Sequence, residues 1–321
     1  MHKTSVQIIS LVVVLVVGFF IADYFLFDGI APREIHTEGI QGKYFSQASV
    51  EKSTTVMLLG GGAWSEYWAL EFAQHGWVGL SLPYTGKKGL PQLPEELDLA
   101  YFETALTWLS KQPEVDANKL IVMGASRHAE LALLIAATFP NLVDGVIAYA
   151  PSAVVWSNTV LAYNSDELKA SYVYQGKEIP YLSMKKIQGN NVDTLRTLNY
   201  WNEGLSKTEE AERAAIKVEM INGPIVLFSG EEDQVWPATR MAKQIEKRIA
   251  EHQFSFPITH ISYPKAGHLI SAHPEVSASV RTGKLTIKGK EYPYYYGGTV
   301  AGDDYAKSDA KKRVIQFLQD L

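Results

Sequence analysis

Short, wholly apolar runs alternate with amphipathic segments through most of the 321-residue chain, and this alternation restricts the fold more than any other feature. Residues 55–59, 77–82, 120–123, 143–149, 225–228 and 258–263 read as strands with no polar face. A strand apolar on both sides must be covered on both sides, which is the situation of a parallel sheet whose crossover helices pack above and below it. Between these runs, residues 66–75, 95–111, 127–138, 237–252 and 305–321 carry helical spacing. Ser65 is placed to cap the first of them and Gly76 to close it. The expected class is therefore α/β: a mostly parallel sheet with helices on both faces. Polar residues at the carboxyl ends of its strands are the ones to inspect for chemistry.

The amino terminus obeys a different pattern. No charged side chain occurs from Thr4 to Ala22, and the apolar character resumes after Asp23 as far as Phe27. At about 1.5 Å per residue such a run matches a hydrocarbon core of roughly 30 Å. Lys3 supplies a cationic start, and no small-residue cleavage site follows near residues 18–30. The expectation is one N-terminal transmembrane helix, an uncleaved single-pass anchor or signal segment over 1–27. The domain behind it is expected to be extracytoplasmic, because Lys3 marks the cytoplasmic side. Residues 28–52 read as a connector with one strand near 42–45. Residues 53–321 read as the catalytic domain, interrupted by an irregular insertion at about 151–221.

Composition removes several functions. Lys and Arg number 30 against 35 Asp and Glu, a net charge of −5 that does not suit a binder of nucleic acid. With no cysteine, disulfides, thiolate metal sites and a cysteine nucleophile are excluded. No cofactor or metal is implied.

Three strand ends carry candidates. Gly124-Ala125-Ser126-Arg127-His128-Ala129 lies between a buried strand and an apolar helix. That is the context of a strand–turn–helix elbow that lifts a serine hydroxyl above a sheet. His128 stands where the usual G-x-S-x-G has its second glycine. Ser229-Gly230-Glu231-Glu232-Asp233 follows another strand, with Asp233 best placed and Glu231 and Glu232 as rivals. Tyr263-Pro264-Lys265-Ala266-Gly267-His268 ends a third strand, with His273 and His128 as competing bases. Each alone has an ordinary explanation: a helix-capping serine, a solvated acidic turn, a surface histidine. Their order, serine then acid then histidine at strand ends, is that of the α/β-hydrolase fold. The chemistry needs all three. A serine hydroxyl is a weak nucleophile until His268 takes its proton, and Asp233 must hold the imidazole tautomer. Oxyanion donors are expected from the Arg127 amide and from the Gly60-Gly61-Gly62 loop, at Gly61 and Gly62. That loop lacks the spacing of a nucleotide-binding motif.

With these residues assembled, the chain resembles the C-terminal catalytic domain of the acyl-CoA thioester hydrolase / bile acid-CoA:amino acid N-acyltransferase family, over about residues 53–321. Gly60-Gly61-Gly62 with Glu66-Tyr67-Trp68-Ala69 carries the resemblance. So do Gly89-Leu90-Pro91 with Ala100-Tyr101-Phe102-Glu103, and Glu130-Leu131-Ala132 after the elbow. The most specific segments are Gly223-Pro224-Ile225, Ser229 through Pro237, and Ser262 through Ile270. The resemblance implies a Ser-Asp-His triad at Ser126, Asp233 and His268 acting on acyl thioesters. It implies hydrolysis over amino-acid conjugation, because the acyltransferases of that family use cysteine. The expected partner is a small acyl ester or thioester. Two other readings are a catalytically silent binding module on this fold and a peptidase of related fold. Lys87 and Lys88 are candidate contacts for substrate phosphates, or simply a solvated loop.

Overall fold

The computed structural model describes residues 2–27, 30–37, 39–48, 50–189 and 192–321; side chains are described for these except at 2–6, 23–27 and 160. Helix α1 is His2–Phe27. Strands β1 (Arg33–Thr37), β2 (Ile40–Phe45) and β3 (Ser53–Leu59) follow, then α2 (Gly62–Gln74), β4 (Val78–Leu82), a short β5 (Leu97–Asp98) and α3 (Ala100–Leu109). The middle of the chain forms β6 (Val115–Ala125), α4 (Arg127–Thr138), β7 (Gly145–Tyr149), β8 (Tyr172–Tyr174), β9 (Lys177–Glu178), α5 (Thr197–Leu205) and α6 (Thr208–Arg213). The remainder is β10 (Ile225–Gly230), α7 (Ala238–Glu251), β11 (Ile258–Tyr263), the hairpin β12 (Thr282–Ile287) and β13 (Lys290–Tyr295), and α8 (Val300–Gln319).

The main sheet has the order β1-β2-β4-β3-β6-β7-β10-β11. It is parallel from β4 through β11. Side-chain alternation divides its core into two layers. Val56, Leu58, Ile121, Met123, Ile147 and Phe228 meet Trp68 and Phe72 of α2 and Ala306 and Val314 of α8. Met57, Leu59, Val122, Val146 and Leu227 meet α3, α4 and α7 on the other face. Helices thus cover both faces, as the apolar strands require.

Two expectations change. Among the described residues no helix is long and apolar enough to cross a membrane. The transmembrane helix, the membrane as a partner and the single-pass, extracytoplasmic placement are therefore not supported. The second change concerns residues 28–52. They contribute β1 and β2, which pair antiparallel with each other and, through β2, with β4. The sheet begins before residue 53. The span between β7 and β10 holds β8, β9, α5 and α6, and it packs Trp156, Trp201 and Leu205 into the α4 and α7 layer.

Candidate active site

Strand β6 passes directly into α4 through Ser126, whose φ of 57° and ψ of −122° lie in a region that side chains rarely adopt. The turn is possible because Gly124 has no Cβ; one there would collide with the backbone carbonyl of His128. The Ser126 amide is held by the carbonyl of Tyr149 at 2.8 Å. Its hydroxyl is left facing a histidine from a loop 142 residues further along the chain.

His268 Nε2 lies 3.1 Å from Ser126 Oγ, and its Nδ1 lies 2.8 Å from Asp233 Oδ2. A carboxylate only accepts, so Nδ1 carries the proton and Nε2 is free to accept the serine O–H. The second oxygen of Asp233 accepts from the amides of Val235 (2.8 Å) and Trp236 (3.1 Å), so the buried acid has a partner for both oxygens. The Trp236 ring stands edge-on to the imidazole at 6.2 Å. The rivals lie elsewhere. Glu231 is exposed and accepts from Ser262, and Glu232 is exposed. His273 packs on Tyr67 with ring centroids 4.4 Å apart.

The loops after β3 and β6 leave neighbouring parallel strands, which sets Gly60-Gly61-Gly62 beside the elbow. All three glycines have positive φ. The amides of Gly61 and Arg127 donate to no protein acceptor among the described residues, the state required of oxyanion donors. Ser65 is not a cap. It lies inside α2, which starts at Gly62, and shares a hydrogen bond with Ser81 at 2.9 Å. Lys87 lines a cavity of about 210 Å3 with Gly61 and Gly62.

His128 lies beside Gly60, where any Cβ would sit only 2.5 Å from the imidazole. Its Nδ1 shares a hydrogen bond with the Tyr84 hydroxyl at 2.8 Å, and burial keeps that hydroxyl protonated. Burial and the neighbouring Arg127 push the imidazole down to about 4. Glu130, two residues on, is wholly buried. It pairs with Arg127 at 2.5 Å and accepts from the Trp156 amide at 3.1 Å. Burial pushes its carboxyl up to about 7, despite Arg127.

These two groups act in opposite senses. The depressed imidazole contributes stability that is present above about pH 6.5 and is lost as pH falls through about 4. The raised carboxyl contributes stability that is present below its unfolded value near 4.3 and is lost as pH rises through about 7. Relative to the unaltered chain, acidification from pH 7 to 5 is expected to favour His128→Asn by roughly 1–2 kcal/mol and to disfavour Glu130→Gln by a similar amount. Urea unfolding at the two pH values measures both, and parallel pH trends in all three proteins would refute the assignment.

Two features of the structure have no signature in the sequence. Ser229, His260 and Glu246 form a second serine–histidine–carboxylate chain, at 2.9 and 3.0 Å. Ser229 is 0% exposed within β10, so no substrate reaches its hydroxyl. The other feature is the Tyr296 carbonyl, which accepts from the amides of both Gln234 (3.3 Å) and His268 (2.9 Å). One backbone oxygen thereby ties the acid loop to the histidine loop. Gly297, whose Cβ would collide with the Glu232 carbonyl, is close to the acid loop for the same reason.

Comparison with known proteins agrees with this architecture. The family model described as BAAT / Acyl-CoA thioester hydrolase C terminal matches residues 97–321. Acyl-coenzyme A thioesterase 1 of Homo sapiens is 26% identical over 297 residues, covering 92% of this chain and 66% of its own. Acyl-coenzyme A amino acid N-acyltransferase 2 of Mus musculus is 23% identical over 298 residues, covering 92% and 67%. The chain thus spans about two thirds of the length of these curated relatives. A candidate dienelactone hydrolase from Klebsiella pneumoniae superposes with a TM-score of 0.52 at 13% identity, covering 91% of this chain and 98% of that one. That likeness shows an α/β-hydrolase fold and nothing finer.

Proposed function

The chain belongs to the BAAT / acyl-CoA thioester hydrolase C-terminal family, and from that premise we propose that it is a serine hydrolase of acyl thioesters working through an acyl-enzyme on Ser126. The observation that carries the reading is the unbroken hydrogen-bonded chain Ser126–His268–Asp233 at 3.1 and 2.8 Å.

In this scheme Ser126 Oγ attacks the thioester carbonyl carbon while His268 Nε2 takes the hydroxyl proton. Asp233 stabilises the imidazolium through Nδ1–H. The oxyanion develops toward the Gly61 and Arg127 amides, at the positive end of α4. Collapse breaks the carbon–sulfur bond, and the departing thiolate receives the proton from His268. A water molecule, deprotonated by the same imidazole, then attacks the acyl carbon; the bond to Oγ breaks, the imidazolium returns the proton to Ser126 Oγ, and the carboxylic acid leaves. Attack by an amine would give conjugation through the same intermediate. The absence of cysteine, together with the relatives named as thioesterases, supports hydrolysis. His128 gives no support to a silent module, since its ring lies against Gly60 and Tyr84.

A panel of acyl-CoA thioesters, p-nitrophenyl esters and peptide amides, with and without added glycine, tests the reading. Thioesters and esters should be cleaved, amides left intact, and glycine should not divert the product. Cleavage of amides alone would favour a peptidase; acyl-glycine as the main product would favour the transferase.

A further inference from the structure

We propose that Asp303 is a positioning residue for His268, acting through the amide of Gly267. The inference rests on the triad reading above and adds to it a residue that touches neither substrate nor the reacting atoms.

Asp303 lies in the first turn of α8 and is 0% exposed. Its Oδ1 accepts the Gly267 amide at 2.7 Å. Its Oδ2 lies 2.7 Å from Arg281 Nη2, an ion pair without the alignment of a hydrogen bond. Lys307, one turn further along α8, is engaged with Asp304 and the Val276 carbonyl instead. Burial pushes the Asp303 carboxyl up, while the Gly267 amide and Arg281 pull it down. A buried carboxylate is costly, and apolar packing could fill its place at less expense. Here its best hydrogen bond goes to the residue immediately before the candidate base.

That loop needs outside support. Lys265 has a φ of 62°, and Gly267 lies so close to the Tyr296–Gly297 backbone that no side chain fits. Segments later in the chain hold it through His268 to the Tyr296 carbonyl at 2.9 Å, Thr299 to the Lys265 carbonyl at 2.8 Å, and Gly267 to Asp303, and the acid loop adds the Glu232 amide to the Ala266 carbonyl at 2.9 Å. Arg281 also donates to the Gly297 carbonyl, so one guanidinium joins Asp303 to the segment that closes over the acid loop. Removing Asp303 leaves the Gly267 amide buried and unpaired, and the loop relieves that by shifting. A shift of about 1 Å at a catalytic base costs on the order of 100-fold in rate.

The test is the rate at which a fluorophosphonate labels Ser126, alongside kcat and KM for an acyl thioester, in protein whose folding is verified by its melting midpoint. Asp303→Ala should slow labelling and kcat by roughly 30–100-fold, with KM within about twofold. Asp303→Asn retains an acceptor for the Gly267 amide and should return to within about fivefold of the unaltered rate. Wild-type labelling by folded Asp303→Ala, or equal slowing by the alanine and asparagine variants, overturns the proposal. If Asp303→Ala does not fold, Asp303→Leu, which fills the volume and removes the acceptor, carries the test: slower labelling at unchanged KM supports the role, and an unchanged rate overturns it. If the unaltered chain is labelled no faster than Ser126→Ala, the triad reading fails and this inference falls with it. Labelling of the unaltered chain that Asp303→Ala leaves intact removes this inference alone.

Discussion

Ser126→Ala is expected to reduce thioester turnover by roughly a million-fold and to abolish fluorophosphonate labelling, with little change in stability. The size follows from the loss of the covalent route. Without the hydroxyl, His268 has no proton to take from the protein, and water must attack directly. The oxyanion amides and the bound substrate would still contribute a residual acceleration of about a thousand-fold over water. For the same reason Ser126→Ala combined with His268→Ala should be hardly worse than either alone, because the two side chains act as one unit. The fold should tolerate the change. Alanine removes one oxygen from a turn whose conformation is imposed by Gly124 and by the hydrogen bond that the amide of residue 126 donates to the Tyr149 carbonyl, although the position keeps its strained φ of 57°. Steady-state assays and intact-mass detection of the labelled protein check both parts. Labelling that persists at another residue of the folded variant would dispose of Ser126 as nucleophile.

How much of this could be read from residues alone depends on whether side chains or backbone made the feature. The central strands were legible because burial on both faces leaves no polar position. Helix α4 has the bounds expected, Arg127–Thr138. The three strand-end motifs could be aligned by order, and the structure brings Ser126, His268 and Asp233 into hydrogen-bond reach. Strand β1 left no such trace, since its residues are mostly exposed and its pattern is set by an antiparallel edge. The β12–β13 hairpin is equally quiet: Lys284, Lys288 and Lys290 make it read as a solvated loop. The Tyr296 carbonyl had no signal at all, because a backbone oxygen is present in every residue and only the fold gives it two donors. Asp303 resembled an ordinary acid at a helix start, a placement that the helix dipole favours anyway. The apolar N-terminal run pointed the other way: its composition suggested a span, while among the described residues no helix is long and apolar enough to cross a membrane. The space that His128 fills in place of the usual second glycine is not legible locally, because its match, the missing Cβ of Gly60, is 68 positions away in the chain.

Asp233→Asn should lower kcat by about 10,000-fold while Glu231→Gln and Glu232→Gln stay within about twofold, a contrast that separates three neighbouring acids by geometry. The substitution is nearly isosteric, and its amide oxygen can still accept from the Val235 and Trp236 amides now bound to Oδ1. The loss therefore falls on the other side, at 2.8 Å from His268 Nδ1. An asparagine NH2 placed there donates, so the imidazole must accept at Nδ1 and carry its proton on Nε2. That nitrogen then points a donor at Ser126 and cannot take its proton; the geometry survives while the tautomer is wrong. The same NH2 offers nothing to stabilise the imidazolium formed during attack. Glu231 and Glu232 have no such connection: both are exposed, and Glu231 accepts from Ser262 instead. The expected signature is a collapse of kcat with KM within about threefold and a melting midpoint within a few degrees of the unaltered chain. Should Asp233→Asn remain active while Glu232→Gln loses turnover, the acid has been misassigned and the histidine loop must close on a different partner during the reaction.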